Sequence, residues 1–523
     1  MPRSVFESGG QRVCAVLAMS LNLALVLETG AIDHPDRAAV ISDSQRMTYA
    51  QLNAAAGAFG DGLARLGVQA GDKVALMLPN VPEFIIAYFG TLKLGGCVVP
   101  INTLLKASEI AYQLEDSDAS TLIVDESVLP DARQALQGVE ACRHAVVRGT
   151  IAPSGWHLFG ALLEAGGATF DTVQSRPDDT AVILYTAGAS GRPKGAELTH
   201  FNMFFNAVLT ADRLCKLTPE DVSLAVLPLF HAIGQTCVMN ATLYSGGMLV
   251  LLPRFEPDKV LQSIQHEKVT VLIGVPTLFW YLQHYPAADR YDWSSLRLCA
   301  SGAAALPAEL ARRFEERYRR PIFEGYGLSE TSPVTSFNPL DRPPKLGSIG
   351  LPIYGVQIKI VDENDRELPT GQVGEIVIRG HNVMKGYYKR PGATGEAMRG
   401  GWFHSGDLGR KDPEGYFYVV GRKKDLIIRG GLNIYPREVE EVLLAHPAVA
   451  EVAVVGVPDE IMGEEIKAFV VLEQEEGADA EDLIEYARKR LAAYKYPRSI
   501  EFRTELPKDA ASRVIKRQLQ EMA

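Results

Sequence analysis

Apolar residues along this chain switch repeatedly between two periods. Residues 52–66 carry them at helical spacing after Met47-Thr48-Tyr49-Ala50-Gln51-Leu52, and Gly67 is placed to end that helix. Residues 74–78 form a short apolar run, which predicts a buried strand. Residues 81–94 predict a buried helix. Gly95-Gly96 turns the chain into Cys97-Val98-Val99-Pro100, and 122–124 reads as another strand. Further on, Thr199 is a candidate N-cap for a helix to 209, and 222–227 is a strand ending at Pro228. Strands alternating with helices predict an α/β fold with parallel-rich sheets flanked by helices. After Arg422 the pattern changes. Helices at 439–444 and 480–491, with strands at 452–456 and 466–472, predict a small α+β domain of about 100 residues.

A length of 523 residues is too great for one core, so at least two domains are expected. The net charge is −11 and there is no long basic run, which excludes nucleic acid as the main partner. The six cysteines are scattered without a C-x-x-C pair and read as reduced thiols of a cytoplasmic protein. The apolar segment 13–27 is short for an integral membrane span. A secretory signal is the alternative. The preferred reading is a helix of the mature protein behind an 18-residue N-terminal extension.

The chemistry centres on Tyr185-Thr186-Ala187-Gly188-Ala189-Ser190-Gly191-Arg192-Pro193-Lys194-Gly195, fed by the apolar run 181–184. Its glycines let the backbone approach a ligand closely, and successive N–H groups can form a concave anion site. Thr186 and Ser190 add hydroxyls, and Lys194 adds a point charge. This suits a polyphosphate, although the glycine spacing is not that of a Walker A loop. By itself such a stretch is more often a simple turn.

Four further motifs follow in order: Pro228-Leu229-Phe230-His231, Gly325-Tyr326-Gly327-Leu328-Ser329-Glu330-Thr331, Trp402-Phe403-His404-Ser405-Gly406-Asp407 and Gly421-Arg422-Lys423-Lys424-Asp425. With the loop, they resemble the acyl-adenylate-forming superfamily of acyl- and aryl-CoA synthetases, adenylation domains and luciferases. The resemblance covers nearly the whole chain from about Leu21. It implies a large ATP- and acyl-binding domain over 19–421 and a small mobile domain over 422–523. It implies ATP, Mg²⁺ and coenzyme A, with a small-molecule carboxylic acid as the other substrate. A homodimer stays open.

In this reading Thr186, Gly188, Ser190, Gly191 and Lys194 hold phosphates. Tyr326 can stack on adenine, as aromatics do on bases. Glu324 can accept from the adenine amino group, with Gly302, Gly325 and Ser329 alongside. Glu330 is a hard oxygen ligand suited to Mg²⁺ on phosphates. Asp407 can accept from both ribose hydroxyls, and Arg422 can donate to the same sugar. The resemblance puts Phe230 and His231 at the acyl pocket, with Gly274, Ser301, Gly302, Gly327 and Val334 as its small-residue walls. It makes Lys424 the hinge and brings Gly430-Gly431 to the site for thioester formation. Lys194, His231, Glu330 and Arg513 are the catalytic candidates.

Two departures from the family pattern stand out. Ala187 and Ala189 replace hydroxyls in the loop. In Leu506-Pro507-Lys508-Asp509-Ala510-Ala511-Ser512-Arg513, the last residue replaces the usual lysine, and a guanidinium fork is not an ammonium. Lys516 lies three residues on. The expected activity is an acid–CoA ligase working through acyl-AMP. The alternatives are a degenerate nucleotide-binding member and an acyl-AMP ligase using another thiol.

Overall fold

The computed structural model describes residues 20–43, 45–167, 170–186, 192–473, 477–508 and 514–523. Two large sheets dominate the N-terminal part. In the first, six parallel strands run in the spatial order Ile322–Gly327, Leu298–Ser301, Val271–Gly274, Val222–Ala225, Met248–Leu251 and Ala38–Ile41. Antiparallel strands finish both edges. In the second, Thr180–Thr186, Cys97–Pro100, Lys73–Met77, Ala119–Asp125, His144–Arg148 and His157–Leu158 are parallel. Lys194–Thr199 folds back on Thr180–Thr186 as an antiparallel hairpin. Helices Tyr49–Leu66 and Pro82–Lys93 pack against each other, and a Cβ on Gly60 would meet the Gly90 carbonyl at 2.8 Å. Glycine permits that approach.

The caps follow the sequence. Thr48 and Gln51 form a reciprocal box, and Gly67 ends the helix at φ +103°. Thr199 Oγ1 accepts from the Asn202 amide and starts His200–Leu209. That helix continues beyond the sequence expectation as a π-helical turn, Thr210–Leu214, and a second π segment spans Ile233–Asn240. π-turns concentrate at functional sites, and these two border the apolar cavity described below.

A four-stranded antiparallel sheet, Val356–Val361, Gly374–Gly380, Phe403–Lys411 and Phe417–Arg422, completes the large part. Past Lys423–Asp425 the chain enters a separate sheet built on Val449–Asp459 and Gly463–Leu472, with its own core of Val439, Leu443, Val454, Ile466 and Leu483. This is a small C-terminal domain.

Two expected elements shift. The first described helix is Leu25–Asp33; of the expected segment 13–27, residues 20–24 are not helical and residues 13–19 lie outside the described residues. Asn22 is the reason: its amide donates to the Leu92 and Val173 carbonyls and its Oδ1 accepts from the Ala24 amide, which turns the chain before the helix. The helix expected to reach 491 ends at Arg488. Among the described residues no helix is long and apolar enough to cross a membrane. The five described cysteines are free.

Candidate active site

One cleft of about 1660 Å³ gathers most of the expected residues. Thr186 and Lys194 are paired across the hairpin and both line the cleft. Gly188, Ser190 and Gly191, together with Ala187 and Ala189, lie outside the described residues. The Lys194 ammonium sits 5.2 Å from the Tyr387 ring centroid.

Strand Ile322–Gly327 ends at this hairpin and delivers a short helix, Ser329–Thr331. Glu330 is buried there. Its Oε1 accepts from Thr186 Oγ1 at 2.9 Å and from the Tyr387 hydroxyl at 3.0 Å. Burial, and then the Glu330 charge, push the Tyr387 phenol up, so it remains a donor. Glu330 Oε2 has no hydrogen-bonding partner among the described residues. A fixed, hard oxygen in the cleft lining would fit Mg²⁺ held mainly by ligand oxygens and water. Gly327 is required for this turn, because a Cβ would fall 1.7 Å from the Pro333 carbonyl oxygen.

The second polar group lies in the same cleft. Asp407 Oδ2 accepts from the Tyr326 hydroxyl at 2.7 Å, and Oδ1 accepts from Arg422 Nε at 3.1 Å. Burial raises the Asp407 carboxyl above its usual range, against the pull of Arg422. Asp407 and Arg422 are cross-strand partners, so the sheet itself sets their approach. The Tyr326 hydroxyl thus engages one of the two Asp407 carboxylate oxygens.

Glu324 is 4 % exposed and its Oε1 accepts from the Leu306 amide at 3.1 Å. Burial pushes its carboxyl up to about 7, while Arg437 of the small domain and the Leu306 amide pull it down. A carboxyl that binds its proton more tightly in the folded than in the unfolded chain lowers stability as pH rises from about 4.5 through about 7. Glu324→Gln is therefore expected to stabilise the fold above pH 7 by up to about 3 kcal/mol. The gain should shrink toward zero near pH 4, which thermal melts at pH 4, 6 and 8 will show.

Phe230 and His231 line the cleft with their rings 4.8 Å apart. Beside them lies an apolar cavity of about 50 Å³ that includes Ser301, Gly302, Gly327 and Val334 in its wall. Asn206 holds Val334 in place through both its backbone groups. A Cβ on Gly302 would stand 3.5 Å from Ile233, an ordinary van der Waals contact. Gly274 is not brought to the cavity. It packs against Leu278 and Phe279, and its carbonyl accepts from the Gly302 amide.

From the small domain, Pro436, Arg437 and Lys516 reach the cleft, and Arg437 donates to the Val419 carbonyl. The Lys516 ammonium is held by Glu440 Oε1 at 2.6 Å. Arg513 lies outside the described residues. Lys424 lines the cleft next to Arg422. Gly430 and Gly431 form a tight turn, at φ +56° and +80°, and are not part of the cleft lining. Tyr387, Glu375 and Arg437 were missed by sequence reasoning. No local motif marks them, since each acquires its role from a strand or domain far away in the chain.

The chain belongs to the AMP-binding enzyme family, whose pattern matches residues 27–388, and its residues 438–513 match the AMP-binding enzyme C-terminal domain. It is 39 % identical to a long-chain-fatty-acid–CoA ligase of Bacillus subtilis (strain 168), over 95 % of this chain and 94 % of that protein. It is 37 % identical to a feruloyl-CoA synthase of an Amycolatopsis species, over 92 % and 95 % of the two chains. Among solved structures it resembles the anthranilate CoA ligase AuaEII in complex with anthranoyl-AMP. The TM-score is 0.92 at 31 % identity, covering 97 % of this chain and 98 % of that one.

Proposed function

We infer that this protein is an ATP-dependent carboxylic acid–CoA ligase that forms acyl-CoA, AMP and pyrophosphate. The observation that carries the reading is the meeting, in one cleft, of Glu330 fixed by Thr186 and Tyr387 with Asp407 fixed by Tyr326 and Arg422. One set suits a triphosphate, the other a ribose. The substrate carboxylate attacks the α-phosphate and pyrophosphate leaves. The thiol of coenzyme A then attacks the acyl carbon and AMP leaves. A carboxylate is a poor acylating agent, and adenylation supplies the leaving group that the second step needs.

Lys194 and the hairpin loop would hold the β- and γ-phosphates, and Arg513 would face the charge that develops in the first step. Mg²⁺, when bound through Glu330 and the phosphates, would neutralise phosphate charge. Phe230, His231 and the apolar cavity favour an acid with an apolar chain or ring. The free cysteines and the need for ATP and coenzyme A support a cytoplasmic location.

The end of the four-stranded sheet at Arg422 supports a division between the domains there. The small domain presents Pro436, Arg437 and Lys516 to the cleft while Gly430-Gly431 stays outside it, which suits the adenylation orientation. Rotation about Lys424 would exchange the two faces. Lys424→Pro fixes φ there and restricts Lys423 as well. The expected result is acyl-AMP formation within about tenfold of wild type and thioester formation from supplied acyl-AMP reduced further. Stopped-flow assays of the two steps check it, and equal loss in both would move the hinge elsewhere.

The test of the overall reading is a panel of fatty and aryl acids with ATP and coenzyme A, following AMP and thioester together. The two products should appear in equal amounts. Nucleotide binding without pyrophosphate release for any acid would leave a binding protein in place of a ligase.

A further inference from the structure

Asp407 does not sit in a regular strand. Pairing between Gly374–Gly380 and Phe403–Lys411 jumps from Val377 opposite His404 to Glu375 opposite Leu408. Residues 405–407 therefore bulge out opposite Ile376, with Gly406 at φ +72°. Bulges re-aim side chains next to active sites. Two residues of the facing strand hold this one. The Ile376 carbonyl accepts from Ser405 Oγ at 2.6 Å, and that oxygen accepts from the Asp407 amide at 3.1 Å. Glu375 Oε1 accepts from the Gly406 amide at 3.2 Å.

The other Glu375 oxygen faces the domain junction. Oε2 lies 3.5 Å from the Lys423 ammonium and 3.4 Å from His404 Nδ1, which itself accepts from Arg399 at 3.0 Å. Glu375 is 7 % exposed and lines the cleft. Lys423 stands between Arg422, the partner of Asp407, and Lys424. One buried carboxylate thus touches the bulge that presents Asp407 and the segment where the small domain departs.

We propose that Glu375 is a positioning residue with two separable tasks. Through Gly406 it aims Asp407 at the nucleotide. Through Lys423 it holds the junction in the orientation seen here and lets go when the small domain turns. The proposal rests on reading Asp407 as the ribose acceptor and Lys424 as the hinge.

The variants separate the tasks. Glu375→Gln keeps an acceptor for the Gly406 amide and removes the charge that attracts Lys423. Lys423→Met removes the same attraction from the other side. Glu375→Ala removes both contacts. In pyrophosphate release without coenzyme A, Glu375→Gln and Lys423→Met should each slow adenylation about 2–5-fold with the KM for ATP within about 2-fold, the scale of a partly exposed ion pair. The double variant should be no worse than either single one. Thioester formation from supplied acyl-AMP should be unchanged or faster in all three. Glu375→Ala should in addition raise the KM for ATP about tenfold, the scale of a charged hydrogen bond.

Independent, additive losses in Glu375→Gln and Lys423→Met would overturn the junction role. An unchanged KM for ATP in Glu375→Ala, with Asp407→Ala raising it, would overturn the aiming role alone. An unchanged KM in both would remove the ribose reading as well. Thermal melts accompany each variant. If Glu375→Ala does not fold, the Glu375→Gln and Lys423→Met cycle still decides the junction role, and Ser405→Ala, which loosens the same bulge, replaces it for the aiming role.

Discussion

Glu330→Gln is expected to lower acyl-AMP formation about 10²–10³-fold, the scale seen when one preorganised electrostatic group is removed from a reacting phosphate or carbonyl. The size follows from how completely this carboxylate is fixed. It is buried, and one oxygen already accepts from Thr186 and Tyr387, so its orientation costs nothing at the moment of reaction. Glutamine fills the same space, but a neutral amide is a poor ligand for a hard cation. The fold should therefore survive while the affinity for Mg·ATP falls. Pyrophosphate release at varied Mg²⁺, paired with equilibrium ATP binding with and without Mg²⁺, is the measurement. Wild-type adenylation at limiting Mg·ATP would show that Glu330 only props the hairpin. Tyr387→Phe separates these roles further. It removes one of the two hydroxyls and should cost far less than Glu330→Gln, because Thr186 still holds the carboxylate.

Arg513 carries the second large effect. Arg513→Ala should slow adenylation about 10²–10³-fold and leave thioester formation from supplied acyl-AMP nearly intact, because the proposed rotation of the small domain would withdraw this residue for the second step. The base of its loop is closed by the Ile515 amide donating to the Pro507 carbonyl at 2.8 Å and by a bridge between Lys508 and Val514. Lys516, just beyond, lines the cleft. Its ammonium is held by Glu440, which also accepts from the Val454 amide, so Lys516 is engaged within its own domain. Arg513→Lys then distinguishes two histories of the site. Faster adenylation would mean that the guanidinium is an imperfect cation for this cleft. Slower adenylation would mean that the cleft has adapted to the planar fork. Lys516→Met should change either step by less than tenfold; a loss as deep as that of Arg513→Ala would assign the catalytic charge to Lys516.

The linear pattern alone carried a large share of this. Strand and helix periods determined the α/β sheets and the change of character after Arg422, because periodicity reports which face of each element must be buried. Thr48, Gly67 and Thr199 announced helix ends through chemistry confined to a few neighbouring residues. Glu330, Asp407 and Arg422, which the fold brings to one cleft, were legible because each lies inside a compact motif.

What the sequence could not determine was set by contacts between distant segments. Tyr387 reaches Glu330 only because its short strand adds to the Lys194–Thr199 edge of the hairpin. Gly274 is a small residue beside the right strand, yet its missing Cβ serves Phe279 and Leu278 and not a ligand. The start of the first helix was misplaced because Asn22 is anchored to carbonyls about 70 and 150 residues away. The bulge before Asp407 depends on Glu375, which no spacing rule connects to it. Apolar period and capping are local properties, and a sequence states them directly. The aim of a buried carboxylate is set by which strands become neighbours, and only the folded chain decides that.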